Sequence, residues 1–164
     1  MLESIQRNVM WRAIPFAGLI AGTVFLLLNM ILSPILLQID ATIILRYFAS
    51  LTMGTSALVT DDSSFLIVGL LTHYGLSIIF TLVIAIVVHR WGLGVGIVGG
   101  AILGLSFYGI NLYAGTLIFE WFFAINNPLL AISHILFGAV AGGVYEMLDT
   151  YDEPLMIGDN NETE

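Results

Sequence analysis

Cysteine is absent from the 164 residues. Disulfides, thiolate metal sites, iron–sulfur ligation and a cysteine nucleophile are therefore excluded within the chain. Charge is nearly as scarce: charged residues make up 10% of the total, and only Arg7, Arg12, Arg46 and Arg90 are basic. Four scattered arginines form no cationic patch that could follow a phosphate backbone, which argues against nucleic-acid binding. Seven of the twelve acidic residues fall from Glu146 onward, so the net charge of −8 belongs mostly to the C-terminal end. No catalytic or cofactor motif is present either, and the chain reads as a non-enzyme.

What the sequence has in quantity is hydrocarbon. Hydrophobic residues account for 59% and the mean hydropathy is +1.00, which excludes an ordinary soluble domain. The length leaves room for four spans of about 20–25 residues and short loops, and none for a large extramembrane catalytic domain. The expected fold is an all-α membrane protein: a four-helix transmembrane bundle over residues 1–147, then an acidic, solvated tail over 148–164. The spans fall at about 13–37, 65–88, 92–118 and 128–147.

Arg7 and Arg12 before an apolar run look like the start of a signal peptide. The run from Ala13 to Leu37 is longer than a signal core and no small-x-small pattern closes it, so it reads as a retained first span. Trp11 and Arg12 anchor one end, and Pro34 bends or ends the other. Residues 40–54 are too short to cross. With Asp40 as a cap and Gly54 as a stop, Ile44, Tyr47, Phe48 and Leu51 share one side, opposite Thr42, Arg46 and Ser50. That is the pattern of an amphipathic helix lying along the interface; the alternative is a re-entrant hairpin, for which Arg46 would need a buried partner. Ser63 or Ser64 caps the second span, and His89, Arg90 and Trp91 end it. Glu120, Trp121, Phe122 and Phe123 form an aromatic belt, and Asn127 with Pro128 opens the fourth span.

Glycine supplies the clearest pattern. Gly92, Gly96, Gly100 and Gly104 recur every fourth residue, and the same face continues through Tyr108, Asn111 and Gly115. Gly18 with Gly22 and Gly138 with Gly142 repeat the spacing on the first and fourth spans. In lipid no hydrophobic force drives helices together, and a glycine stripe of this kind, a glycine zipper, lets backbones meet. These eight glycines are the expected helix-packing positions.

A polar residue sits on or near that small-residue face of every span: Asn29, His73, Tyr108 with Asn111, and His134. At 1.5 Å per residue, His73 lies roughly 12–14 Å and His134 roughly 9–11 Å from the same membrane surface. The spacing therefore predicts a buried polar layer in one half of the bundle. Interhelical hydrogen bonds worth about 0.6–2 kcal/mol each would explain it as glue, with each histidine paired to a neighbouring polar side chain. A proton or ion path is the first alternative, and haem b held by His73 and His134 as axial ligands is the second. No metal site is expected, because no carboxylate lies at that level.

The order Arg46, Tyr47, Phe48, Ala49, Ser50, Leu51 and Gly54, then Gly69, Leu70, Leu71, Thr72 and His73, then His134, Ile135, Leu136, Phe137, Gly138 and Gly142, resembles a group of small uncharacterised bacterial four-helix inner-membrane proteins. Some of those occur with respiratory oxidase and cytochrome genes. The resemblance implies a non-catalytic accessory subunit that packs against other integral membrane subunits of a larger, respiratory complex. The glycine faces and acidic tail are what such a partner would meet. A small transporter or proton-conducting protein is the alternative function. Arg7, Arg12 and Arg90 share one side and only Arg46 lies on the other, which puts both termini on the cytoplasmic side of the bacterial inner membrane.

Overall fold

The computed structural model describes residues 9–149, and among them every regular element is helical. Residues 1–8, with Arg7, and the tail from residue 150 lie outside the described residues. Four helical segments are long and apolar enough to cross a membrane: Ala13–Leu37, Ser64–Val88, Leu93–Leu117 and Pro128–Asp149. Apolar runs of this length with few or no charges become helices because a bilayer leaves the backbone no other partner for its N–H and C=O groups.

The first segment is α1 (Ala13–Leu32) followed by a π turn at Ser33–Leu37. Pro34 sits in the first turn of that π segment and Gln38, in the left-handed region at φ 56°, ends it. A short helix, α2 (Ile43–Met53), and a 3₁₀ turn (Thr55–Leu58) lead into α3 (Ser64–Val88). Positive φ at Arg90 (66°) and Gly92 (85°) reverses the chain into α4 (Leu93–Gly109). There the α-helix stops, and a π turn (Ile110–Ala114) and a 3₁₀ turn (Gly115–Leu117) complete the crossing. A further 3₁₀ segment, Glu120–Ile125, precedes α5 (Pro128–Asp149). Asn127 caps α5 by accepting the Leu130 N–H at 2.8 Å.

Packing is organised by glycine. α4 and α5 make the most extensive contact of the bundle. Gly96 faces Gly142, Gly100 faces Gly138, and Gly104 faces the His134 carbonyl and Gly138, so the two stripes are each other's partners. A Cβ at Gly96 would stand 2.8 Å from the Gly142 carbonyl oxygen and 2.6 Å from Glu146 Cγ. At Gly100, Gly104, Gly138 and Gly142 it would fall on a facing backbone carbonyl. Gly18 and Gly22 make the second seam, against Ile78 and Ser77 of α3. A third close approach sets Gly69 of α3 against the Leu45 backbone of α2.

Several expectations need correction. Gly92 does not pack: nothing lies near its missing side chain, and its positive φ makes it the turn residue before α4. Asp40 does not cap α2, which starts after Thr42; its carboxylate takes the Thr42 N–H at 2.6 Å and the Thr42 hydroxyl in an Asx turn. Those bonds hold Asp40 below the ordinary carboxylate range. No Ser63 or Ser64 side chain caps α3; Asp62 does, accepting the Ser64 N–H at 3.1 Å. Ser50 was placed on the polar side of α2, yet it is only 1% exposed. Arg46 meets no water-facing stripe: it donates to the Ala57 and Thr60 carbonyls at 3.2 and 2.8 Å and lies 3.9 Å over the Phe65 ring. Leu148 and Asp149, assigned to the tail, are still helical.

At the end of the bundle that carries Arg90, two buried groups tie elements together. Tyr145 Oη accepts the Met10 N–H at 3.2 Å. Glu146, 1% exposed, accepts the Gly92 N–H at 3.0 Å and so caps the first turn of α4. The opposite end, roofed by α2, holds the site.

Candidate functional site

Beyond Gly104 the seam between α4 and α5 runs out of glycine. Phe107 and Tyr108 follow, and Phe107 stacks on Phe80 of α3 with centroids 4.7 Å apart. The π turn at Ile110–Ala114 then carries the chain away from the seam. α3 and α4 touch little along their length. The space this leaves is a cavity of about 600 Å³. Phe25 of α1, Tyr47 and Phe48 of α2, and Leu76 and Phe80 of α3 form part of its wall. Ile118, Phe119 and Phe122, from the connection before α5, close another side.

The roof is stitched from two pieces of chain. Trp121 donates its indole N–H to Ser50 Oγ at 2.9 Å, and Tyr47 meets Phe122 edge to face at 5.7 Å. Burial raises the Tyr47 hydroxyl above the ordinary phenol range. The roof thus combines a short helix and a 3₁₀ segment that neither periodicity nor hydropathy joins.

Both intramembrane histidines lie on the cavity wall. His73 Nε2 is 2.9 Å from the Gly22 carbonyl, and His134 Nδ1 is 2.9 Å from the Leu130 carbonyl. A carbonyl only accepts, so these two nitrogens carry the protons. Phe25 packs against both rings, stacked on His73 at 5.5 Å and perpendicular to His134 at 5.0 Å. Phe48 covers His73 at 4.7 Å, and Tyr108 stands beside His134 at 5.6 Å.

The expected side-chain network is therefore not what the structure builds. Each histidine bonds to a helix carbonyl, not to Asn29, Tyr108 or Asn111. Asn29 is buried and donates to the Phe25 carbonyl of its own helix at 2.9 Å, and Tyr108 donates to Asn126 Oδ1 at 2.5 Å. The cause is proximity: in a span the second lone pair of a carbonyl one turn away, or across a glycine contact, is nearer than another helix's side chain. Gly22 exposes its carbonyl to His73 because the α1–α3 seam is so close there. Of the predicted layer, His73, Tyr108, Asn111 and His134 line the cavity, while Asn29 does not.

A bis-histidine haem does not fit this arrangement. The nitrogen left to His73 is Nδ1, next to the side-chain attachment, where a porphyrin plane would meet Cβ. Phe25 also occupies the position against both imidazoles. Among the described residues no group of three His, Cys, Asp or Glu could hold a metal ion. No carboxylate, lysine or arginine lines the cavity among those residues.

Sequence reasoning missed Phe25, Phe48, Ser50 and Trp121. In so apolar a chain an aromatic carries no signal of its own, and Ser50 was assigned by periodicity to the wrong side. The described residues form a helical bundle with four helices long and apolar enough to cross a membrane, and an apolar cavity whose polar groups are two imidazoles, an amide and a few hydroxyls. No protein-family model, curated protein or solved structure matches the chain.

Proposed function

We propose that this protein binds a lipid-soluble small molecule inside the bundle, beneath α2, as a non-catalytic membrane binding protein. The cavity carries the reading: about 600 Å³ is within the range of small-molecule pockets, and its wall is apolar with a few convergent polar groups. Nothing on that wall pairs a nucleophile with a base, so the proposed role is binding without a chemical step. A proton path is not favoured, because the lining offers no carboxylate to relay between.

An accessory subunit would meet its partner through its glycine faces and its acidic tail. The glycine faces pack against this chain's own helices, so such a partner would dock on the exposed apolar side chains or on the tail, which lies outside the described residues. The binding role needs no partner.

The test is to purify the protein into lipid nanodiscs without denaturation and to identify extracted small molecules by mass spectrometry. Leu76→Trp fills the cavity from α3 without touching either histidine bond. A lipophilic molecule enriched with the native chain and lost in Leu76→Trp is expected. Identical extracts from both proteins, with neither stabilised by any lipophile added back, would remove the proposal.

We further propose a bacterial inner-membrane location with both termini cytoplasmic and with α2 at the periplasmic interface. Arg12 and Arg90 share one side, and Arg46 alone lies on the other. The absence of cysteine makes the check direct. A cysteine introduced at Ser56 or Asp61 should react with an impermeant maleimide in intact cells, and one introduced after residue 155 should not. Labelling of both from one side would overturn the four-span topology.

A further inference from the structure

We infer that the occupant of this cavity is a neutral molecule whose head donates a hydrogen bond, a phenol or alcohol on a hydrocarbon body; this rests on the binding role proposed above. The argument turns on which ring nitrogens are already committed. His73 Nε2 and His134 Nδ1 each face a backbone carbonyl, so each must bear the proton. No carboxylate on the cavity wall balances a second proton, and an imidazolium surrounded by Phe25, Phe48 and Tyr108 would be a charge without a counter-charge. The rings are therefore neutral. A neutral imidazole that donates through one nitrogen offers only a lone pair at the other.

What remains for a ligand is Nδ1 of His73 and Nε2 of His134, both acceptors, and among the described residues neither receives a protein hydrogen bond. Nε2 of His134 is the less hindered of the two, being on the side of the ring away from the backbone. A ketone, ether or ester presents only lone pairs and would meet lone pairs there. An anion would face the same repulsion with no cation on the wall. A hydroxyl meets the need, and it also accepts, which suits the Asn111 amide on the same wall. Leu76, Phe80, Ile118 and Phe119 supply the hydrocarbon contact for the remainder.

Matched probes test this: 4-nonylphenol, which donates, and 4-nonylanisole, in which a methyl group blocks the donor on the same ring and tail. Binding is read in nanodiscs from Trp121 fluorescence, with Trp11→Phe and Trp91→Phe making the roof tryptophan the sole reporter. The phenol is expected to bind roughly three- to tenfold more tightly, the ratio one net hydrogen bond supplies. His134→Phe keeps an aromatic ring against Phe25 and should bring the ratio of phenol to anisole affinity to about one. His134→Gln can present an oxygen acceptor near the position of Nε2 and should keep part of the preference, which separates lost chemistry from lost folding. Equal binding of both probes to the native chain would overturn the donor inference and leave the binding role standing. Tighter binding of the corresponding acetophenone would overturn it by showing that the site donates. If neither probe binds, both readings fall.

Discussion

Gly138→Leu is expected to leave no folded bundle. Gly138 and Gly100 are set against each other so closely that a Cβ on either would fall on the other's carbonyl, and the Gly104 Cα would lie 2.9 Å from a Cβ on Gly138. Overpacking a core of side chains costs about 1–3 kcal/mol because rotamers and small shifts absorb it. Backbone has no rotamer to change, so the cost here should exceed about 3 kcal/mol, a fall of at least about 6 °C in melting temperature for a chain of this size. Failure to recover monodisperse protein is the extreme form of the same result. Gly75→Leu is the control, because nothing lies within 4 Å of its missing side chain. It should change stability by no more than about 1 kcal/mol. Equal melting curves for the two variants in the same detergent would show that the α4–α5 seam does not hold the bundle.

Gly69→Leu should separate the roof from the bundle. Gly69 meets α2 through the Leu45 backbone, with the Leu45 Cα 3.2 Å from where a Cβ would stand. The 11-residue helix lies outside the four spans and packs chiefly on α3, where Gly69 makes the closest backbone approach; the Arg46 bonds, the Phe65 ring, the Trp121 indole and the Tyr47 and Phe48 rings add to that contact. Pushing it away removes Ile44, Tyr47 and Phe48 from the cavity wall, so binding of a lipophilic probe should weaken by more than about tenfold. The glycine seams between the spans do not include α2, and melting should fall much less than in Gly138→Leu. Ala49→Cys reports the movement, since position 49 is fully buried and the chain has no other thiol. Its maleimide reaction should pass from protected to fast. A thiol that stays protected while binding is lost would place the effect elsewhere.

Gly96, Gly100, Gly104, Gly138 and Gly142 could be read from spacing alone, because a four-residue repeat of the smallest side chain on an uncharged run has one main physical use. Which stripe meets which could not be read, since spacing marks a face and leaves its partner open. Gly92 shows how the same rule overreaches. It keeps the interval of four, yet the helix begins only after it, and a positive φ next to Arg90 is invisible to periodicity. The histidines were found by their cost in lipid, but their bonds go to carbonyls, and every residue carries a carbonyl. The cavity was illegible for a further reason. It is bounded by α2 and by residues 118–125, elements whose approach depends on single contacts such as Trp121 with Ser50.

The π turn at Ile110–Ala114 has a consequence for which changes of length the chain tolerates. A π turn is an α turn carrying one surplus residue, and each residue of an α-helix turns the chain by about 100°. Deleting any single residue between 110 and 114 would let α4 wind on regularly. Everything from Gly115 to Ile125 would then swing by about that angle about the helix axis. Ile118, Phe119 and Phe122 would leave the cavity, and Trp121 would lose Ser50, although no residue touching the site had been exchanged. Point substitutions at the exposed Ile110 and Tyr113 are forgiving by comparison. The requirement at this end is thus arithmetic as well as chemical: how many residues separate Gly109 from the roof counts along with which ones they are.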